Sequence, residues 1–332
     1  MKTGSDYELN KKITLPQTIL ITLFSIIMIL AAVNIPALGI LTISVSSLFV
    51  VIAALSDSKG VFVSFAMVIL GLIFFMDPVY IFEICLNFVI PGIIIGIITR
   101  NVLNYKEDNK YNPIFMGTIA FILGLIANYL VSKYLFNINM LEEFTSVMKA
   151  QLSTQISAIQ ESVSTLASMP NITEESIIQT MLNIMPLILF SRAIILAILT
   201  YFLAVFTLKK IRTNNLKEIL KEVKFSRFYL PGNAVLTSFV LYILIMLVEM
   251  LNIPLYTDLI LVNLELIFYI LFLIQGVSVA IFFTKKWLKA GHVIKFIVGV
   301  IAVSIVGIMG ISILGMVDSI FDFRKVKSCE LI

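Results

Sequence analysis

Apolar runs of about 20 residues recur along nearly all of this chain, and its charges gather in the stretches between them. A helix rises about 1.5 Å per residue, so about 20 residues cross a hydrocarbon core of about 30 Å. Inside lipid every backbone N–H and C=O must be paired within the protein, which leaves helices or closed barrels. The runs are continuous rather than alternating, and that pattern selects helices. Composition agrees: 60% of the 332 residues are hydrophobic and 13% are charged. Soluble domains carry roughly 25% charged residues, and a chain this poor in charge cannot coat its surface for water. The predicted fold class is all-α, a polytopic transmembrane bundle of about nine spans with one extracytoplasmic amphipathic helix.

The expected spans are 16–33, 37–55, 60–76, 79–99, 113–136, 181–207, 233–251, 258–284 and 293–317. Asn34-Ile35-Pro36, Asp57–Gly60 and Asp77-Pro78 mark the first turns. The chain thus divides into an N-terminal tail (1–15), a five-span bundle (16–136), an external segment (137–180), a four-span bundle (181–317) and a C-terminal tail (318–332). Three loops are basic: 100–112, 208–230 and 285–292. With nine spans all three share one side with the N-terminal tail, which the positive-inside rule assigns to the cytoplasm. The C-terminal tail then falls on the opposite side. Its Arg324, Lys325 and Lys327 sit there beside Asp318, Asp322 and Glu330, which neutralise them.

The external segment holds Leu141, Phe144, Met148, Leu152, Ile156, Ile159, Val163 and Leu166 at steps of three or four. This spacing predicts an amphipathic helix on the membrane surface, or a lid, ended by Pro170 and followed by an N-cap at Asn171. Gly117, Ala120, Gly124 and Ala127, with Gly92 and Gly96, form small-residue faces for close helix packing. Pro91-Gly92 and Pro186 are expected to kink their spans.

Standard catalytic chemistry has little material. His292 is the only histidine, and Cys85 and Cys329 are far apart. No P-loop, G-x-G-x-x-G, H-E-x-x-H or G-x-S-x-G is present. No enzyme activity, metal or cofactor is expected. A net charge of +4 with basic residues at span ends reads as topology, not as nucleic-acid binding.

The informative residues are ionisable groups within spans: Glu83, Arg192, Glu249 and Glu265. A charge at bilayer depth costs about 2.5–3.5 kcal/mol on insertion scales, so such groups mark pathways or find partners. Asn87, one turn after Glu83, and Asn263 and Gln275 add polar groups. Together these seven predict a polar pocket opening outward, with Arg192 near mid-membrane as its floor and the carboxylates toward its mouth. The alternative is that Glu249 and Glu265 reach interfacial water and Arg192 pairs with Glu83.

Val89-Ile90-Pro91-Gly92 with Gly96 and Arg100, Gln275-Gly276, and Leu314-Gly315-Met316-Val317-Asp318 followed by Phe321–Lys325 resemble the YybS-like family of uncharacterised bacterial polytopic membrane proteins. The resemblance runs from about residue 16 to 327 and implies no particular activity. The N-terminal half is similar in layout to the substrate-binding S components of energy-coupling-factor vitamin transporters. That likeness implies capture of a small molecule from outside and a separate energising module. The first span has only Ala31 and Ala32, not the Ala-x-x-x-Ala face such components offer that module, and the span count exceeds their six. The expected function is binding or transport of a small polar or anionic molecule, with the lipid bilayer as the other partner. The alternative is a non-transporting membrane scaffold or sensor.

Overall fold

The computed structural model describes residues 13–105, 109–163, 174–210, 223–231, 233–251, 256–287 and 292–326. The helices are α1 (Leu15–Asn34), α2 (Leu41–Leu55), α3 (Ser58–Leu72), α4 (Pro78–Ile84), α5 (Ile90–Tyr105), α6 (Asn112–Leu135), α7 (Met140–Val163), α8 (Glu174–Asn183), α9 (Met185–Lys210), α10 (Ala234–Met250), α11 (Thr257–Trp287) and α12 (His292–Phe321). Among the described residues there is no strand. Among the described residues five segments are long and apolar enough to cross a membrane alone: Leu15–Asn34, Pro78–Leu103, Asn112–Leu135, Met185–Lys210 and Thr257–Lys286. Leu41–Leu55, Ser58–Leu72, Ala234–Met250 and Gly307–Phe321 are shorter apolar helices.

Local chemistry sets the helix starts. Pro16, Pro78 and Pro113 occupy the first turn of α1, α4 and α6, where their missing N–H is no loss. Gln17 accepts from the Thr14 backbone in a capping box, and Asn233 caps α10 by accepting from Leu236 N–H at 3.1 Å. The hydroxyls that α1 buries turn back on its own carbonyls: Thr22 donates to Thr18 at 2.8 Å and Ser25 to Ile21 at 2.9 Å.

Pro91 breaks its helix in a defined way. Its ring cannot donate to residue 87, and the chain inserts one π turn, Cys85–Val89, so that Ile90 N–H reaches back to Cys85 C=O. Pro186 was expected to kink a span, but it opens a new one. α8 ends at Asn183, and α9 begins at Met185 with Pro186 in its first turn.

α2 is the axis of the N-terminal bundle and packs on α1, α5 and α9. It runs parallel to α5: Gly96 approaches Val50 so closely that a Cβ would lie 2.6 Å from its carbonyl oxygen. One turn on, Arg100 donates to the Ala53 and Ser56 carbonyls and so caps the end of α2. The π turn packs on α6, where Gly124 lies against the Leu86 carbonyl. α7 covers part of the predicted external helix; Leu166, Pro170 and Asn171 lie outside the described residues.

The span expected at 293–317 is two arms. α12 breaks at Gly307, whose φ of 73° and ψ of 167° suit glycine. Ser312 bonds to Tyr269, Gly315 lies on Phe272, Asp318 bonds to Gln275 and Arg324 bonds to Ser278. The two numbers rise together, so the second arm, from Ile308 to Phe321, runs parallel to α11. A straight 30-residue helix following α11 would be antiparallel and would carry the chain about 45 Å away. The chain instead rises along the first arm, reverses at Gly307 and returns. The C-terminal tail therefore ends beside residues 226–228, at the end of the molecule that carries the basic loops. This corrects the expectation that it lies opposite them, and Arg324 and Lys325 join the other basic residues.

Candidate functional site

Helical rise gives the depth of the predicted pocket residues. Seventeen residues separate Glu83 from Arg100, and seventeen separate Arg192 from Lys209, about 26 Å in each case. Twenty separate Glu265 from Lys285, about 30 Å. Measured along the helices, Glu83, Arg192 and Glu265 thus lie about 26–30 Å from the basic end, a distance comparable to a hydrocarbon core of about 30 Å. Arg192, Glu249 and Glu265 are exposed, Glu83 is half-buried, and none of the four has an ion pair among the described residues.

The three amides are buried in three separate places. Asn263 staples the α8–α9 junction: its Oδ1 accepts from Leu187 N–H at 3.2 Å, and its Nδ2 donates to the Asn183 carbonyl at 2.9 Å. These are the backbone groups that the break before Pro186 leaves without helical partners. Asn87 is buried in the π turn, and its Oδ1 accepts no hydrogen bond among the described residues. Gln275 lies deeper and belongs to a different site.

That site is a polar node about 10 Å in from the Lys285 level, seven residues up α11 at Ser278. Asp318, 2% exposed, pairs with Arg324, 6% exposed, at 2.8 Å. Every guanidinium nitrogen donates. Nε binds the carboxylate, Nη1 binds the Ser226 carbonyl at 3.0 Å and Ser278 Oγ at 2.6 Å, and Nη2 binds Asp318 and the Phe228 carbonyl at 2.9 Å. Gln275 donates to Asp318 at 3.0 Å and accepts from Leu230 N–H at 3.1 Å.

The node exists because residues 223–231 enter the bundle without forming a long helix. A 3-10 turn, Phe225–Arg227, leads into extended chain. Non-helical backbone at such depth is tolerated only where protein groups satisfy it. The C-terminal helices hold the carbonyls of this segment through Arg324 and Ser278. The N-terminal bundle holds its side chains: Phe228 meets Tyr111 and Phe115, and Phe225 meets Phe202. Tyr111 also donates to the Lys224 carbonyl at 2.9 Å.

Directly above the node lies a groove of about 410 Å³ between α10, α11 and the returning arm of α12. Its inner end is formed by Phe272 and Met316, one turn or less from Gln275 and Asp318. Its far end reaches Glu265. Phe239, Tyr242 and Met309 on its walls are exposed, so the groove opens at the bundle surface. The structure therefore brings one predicted residue, Glu265, to the groove and another, Gln275, to the node beneath it. Among the described residues no group of three His, Cys, Asp or Glu side chains is placed to hold a metal ion.

Asp318, Arg324 and Ser278 were not among the predicted site residues. The available signal was a carboxylate and an arginine six residues apart at the end of an apolar run, with Gln275 in a neighbouring span. Reading them as mutually neutralised tail charges missed that both are buried. No curated protein and no solved structure matches the chain. A family model described as a predicted membrane protein family matches residues 22–319, a stretch that holds α2 to α11, the groove and Asp318. The chain belongs to that family, DUF2232.

Proposed function

We propose that this chain binds or transports an amphiphilic molecule, taken into the lateral groove from the outer leaflet of a bacterial plasma membrane. The observation that carries this reading is the groove itself, open at the depth of Glu265 and shut below by the Asp318–Arg324 node. Access from one side only is the geometry of a binding site open in one direction. Among the described residues the lining is mainly aromatic and aliphatic, with one carboxylate and no basic side chain. That favours a ligand with an apolar body over the small polar or anionic molecule expected from sequence.

In this reading the basic end is cytoplasmic. Eight crossings and a hairpin, α12, that enters from the cytoplasmic side put both termini inside and α7 outside. Reporters fused after residues 215 and 326 should share a compartment, and one near residue 155 should lie in the other. A reporter after 326 in the same compartment as 155 would reject this topology.

The groove has a direct test. Trp287 is the only tryptophan. In a Trp287→Phe background, Phe272→Trp sets a reporter at the groove floor, where residue 272 is 7% exposed. Brominated alkyl chains quench tryptophan on contact, and ordinary surrounding lipid does not reach a buried floor. Saturable quenching at 272 is expected. Leu244→Trp, on the exposed surface of α10, reports ordinary lipid contact. Quenching at 244 without quenching at 272 would reject the groove as a ligand site.

A further inference from the structure

Resting on the reading of the groove as a ligand site, we infer that the head group it selects is an organic cation, held by Glu265 and the aromatic rings beside it. Among the described residues Glu265 is the only charged side chain in the lining, and it has no ion pair. Phe239, Tyr242, Phe268 and Tyr269 share that lining. The face of an aromatic ring carries negative potential, so rings and a carboxylate attract the same kind of ligand, and an alkylammonium suits both. A carboxylate alone would select any cation. The rings shift the preference toward one that is weakly hydrated and bulky, since such a cation loses little on leaving water.

Depth supports the same assignment. Glu265 lies at the far hydrocarbon boundary, about 30 Å from Lys285. Phe272 and Met316 lie deeper along the same groove. A single-chain amphiphile can therefore keep its charged head at the boundary while its tail follows the groove inward. A sulfate or phosphate head in that position would face a carboxylate.

The test uses the full chain carrying Trp287→Phe and Phe272→Trp, in neutral maltoside micelles. The probes are 10-bromodecyltrimethylammonium, 10-bromodecanol and 10-bromodecyl sulfate, with Leu244→Trp as the correction for micelle partitioning. The ammonium probe should half-saturate at about a tenfold lower concentration than the alcohol, the scale of one favourable cation–aromatic and ionic contact. The sulfate should be weakest. Glu265→Gln should erase the ammonium advantage and leave the alcohol unchanged, and Glu265→Lys should reverse the order of the charged probes. Equal quenching by ammonium and alcohol overturns the cation assignment and leaves the groove standing, as does an ammonium advantage that survives Glu265→Gln. Absence of floor quenching by any probe removes the groove and the cation assignment together.

Discussion

Asp318 and Arg324 at one end of the apolar bundle, and Glu83, Arg192 and Glu265 at the other, are the same residue types in similar stretches of sequence, yet they meet opposite fates. The first two are buried, paired with each other and saturated with hydrogen bonds. The last three are exposed or half-buried and unpaired among the described residues, about 26–30 Å from the basic end. A charged group in an apolar run has two ways to avoid the cost of hydrocarbon. It can stand where its head group reaches the boundary, or it can bring its solvation with it as fixed protein dipoles. The boundary group leaves backbone geometry unconstrained. The buried pair fixes three segments at once, since Arg324 joins α11, the end of α12 and residues 226–228.

The sharpest way to break this contrast is to remove one member of the buried pair. Arg324→Ala leaves the buried Asp318 carboxylate without its countercharge, held by Gln275 alone, and takes away the donor to the Ser226 carbonyl, and should destabilise the protein by about 3–5 kcal/mol. Denaturant titration in micelles, followed by circular dichroism, measures it; a change under about 1 kcal/mol would mean that the node is not closed as described. The double change Asp318→Leu with Arg324→Met should recover much of the loss, because a buried pair and a well-packed apolar replacement are often close in stability.

Next in size are the contacts that hold the returning arm. Gly276 lies against the Ile311 carbonyl and Gly315 against the Phe272 carbonyl, and a side chain at either position would meet backbone oxygen. Gly315→Val should cost about 1–3 kcal/mol by overpacking and should loosen the groove, visible as a lower melting temperature. Asn263→Ala should cost about 1–3 kcal/mol through the orphaned Leu187 N–H and Asn183 carbonyl, with proteolysis at the α8–α9 junction as a second measure. The smallest effect completes the comparison. Arg192→Gln and Glu83→Gln should each stay within about 0.5 kcal/mol of the parent chain. A larger loss would assign these boundary groups a partner and revive an internal role for Arg192.

The apolar runs and their charged connections made most of the helices legible, and α1 to α6 and α9 to α11 fall close to the expected spans. Individual breaks were less readable. Pro91 and Pro186 carry the same local signal, but one is absorbed by a π turn and the other starts a helix, because Asn263 of a distant helix is placed to satisfy the freed groups only at the second. The candidate site was legible in part. Glu265 and Gln275 stood out as polar groups in an apolar span, but their sequence spacing could not place one at a groove and the other in a buried node.

The sequence by itself determined that these segments are helices suited to lipid, and that the connections 100–112, 208–230 and 285–292 carry positive charge. Both follow from local properties: the length of an apolar run and the cost of charge in hydrocarbon. Tertiary structure decided the direction of the last arm, the burial of Asp318 and Arg324, and the groove above them. Those depend on a positive φ at Gly307, on backbone contact between Gly276 and Gly315, and on a non-helical segment more than 40 residues away in sequence from the side chains that solvate it. Long-range geometry of that kind leaves no periodic trace in a single chain.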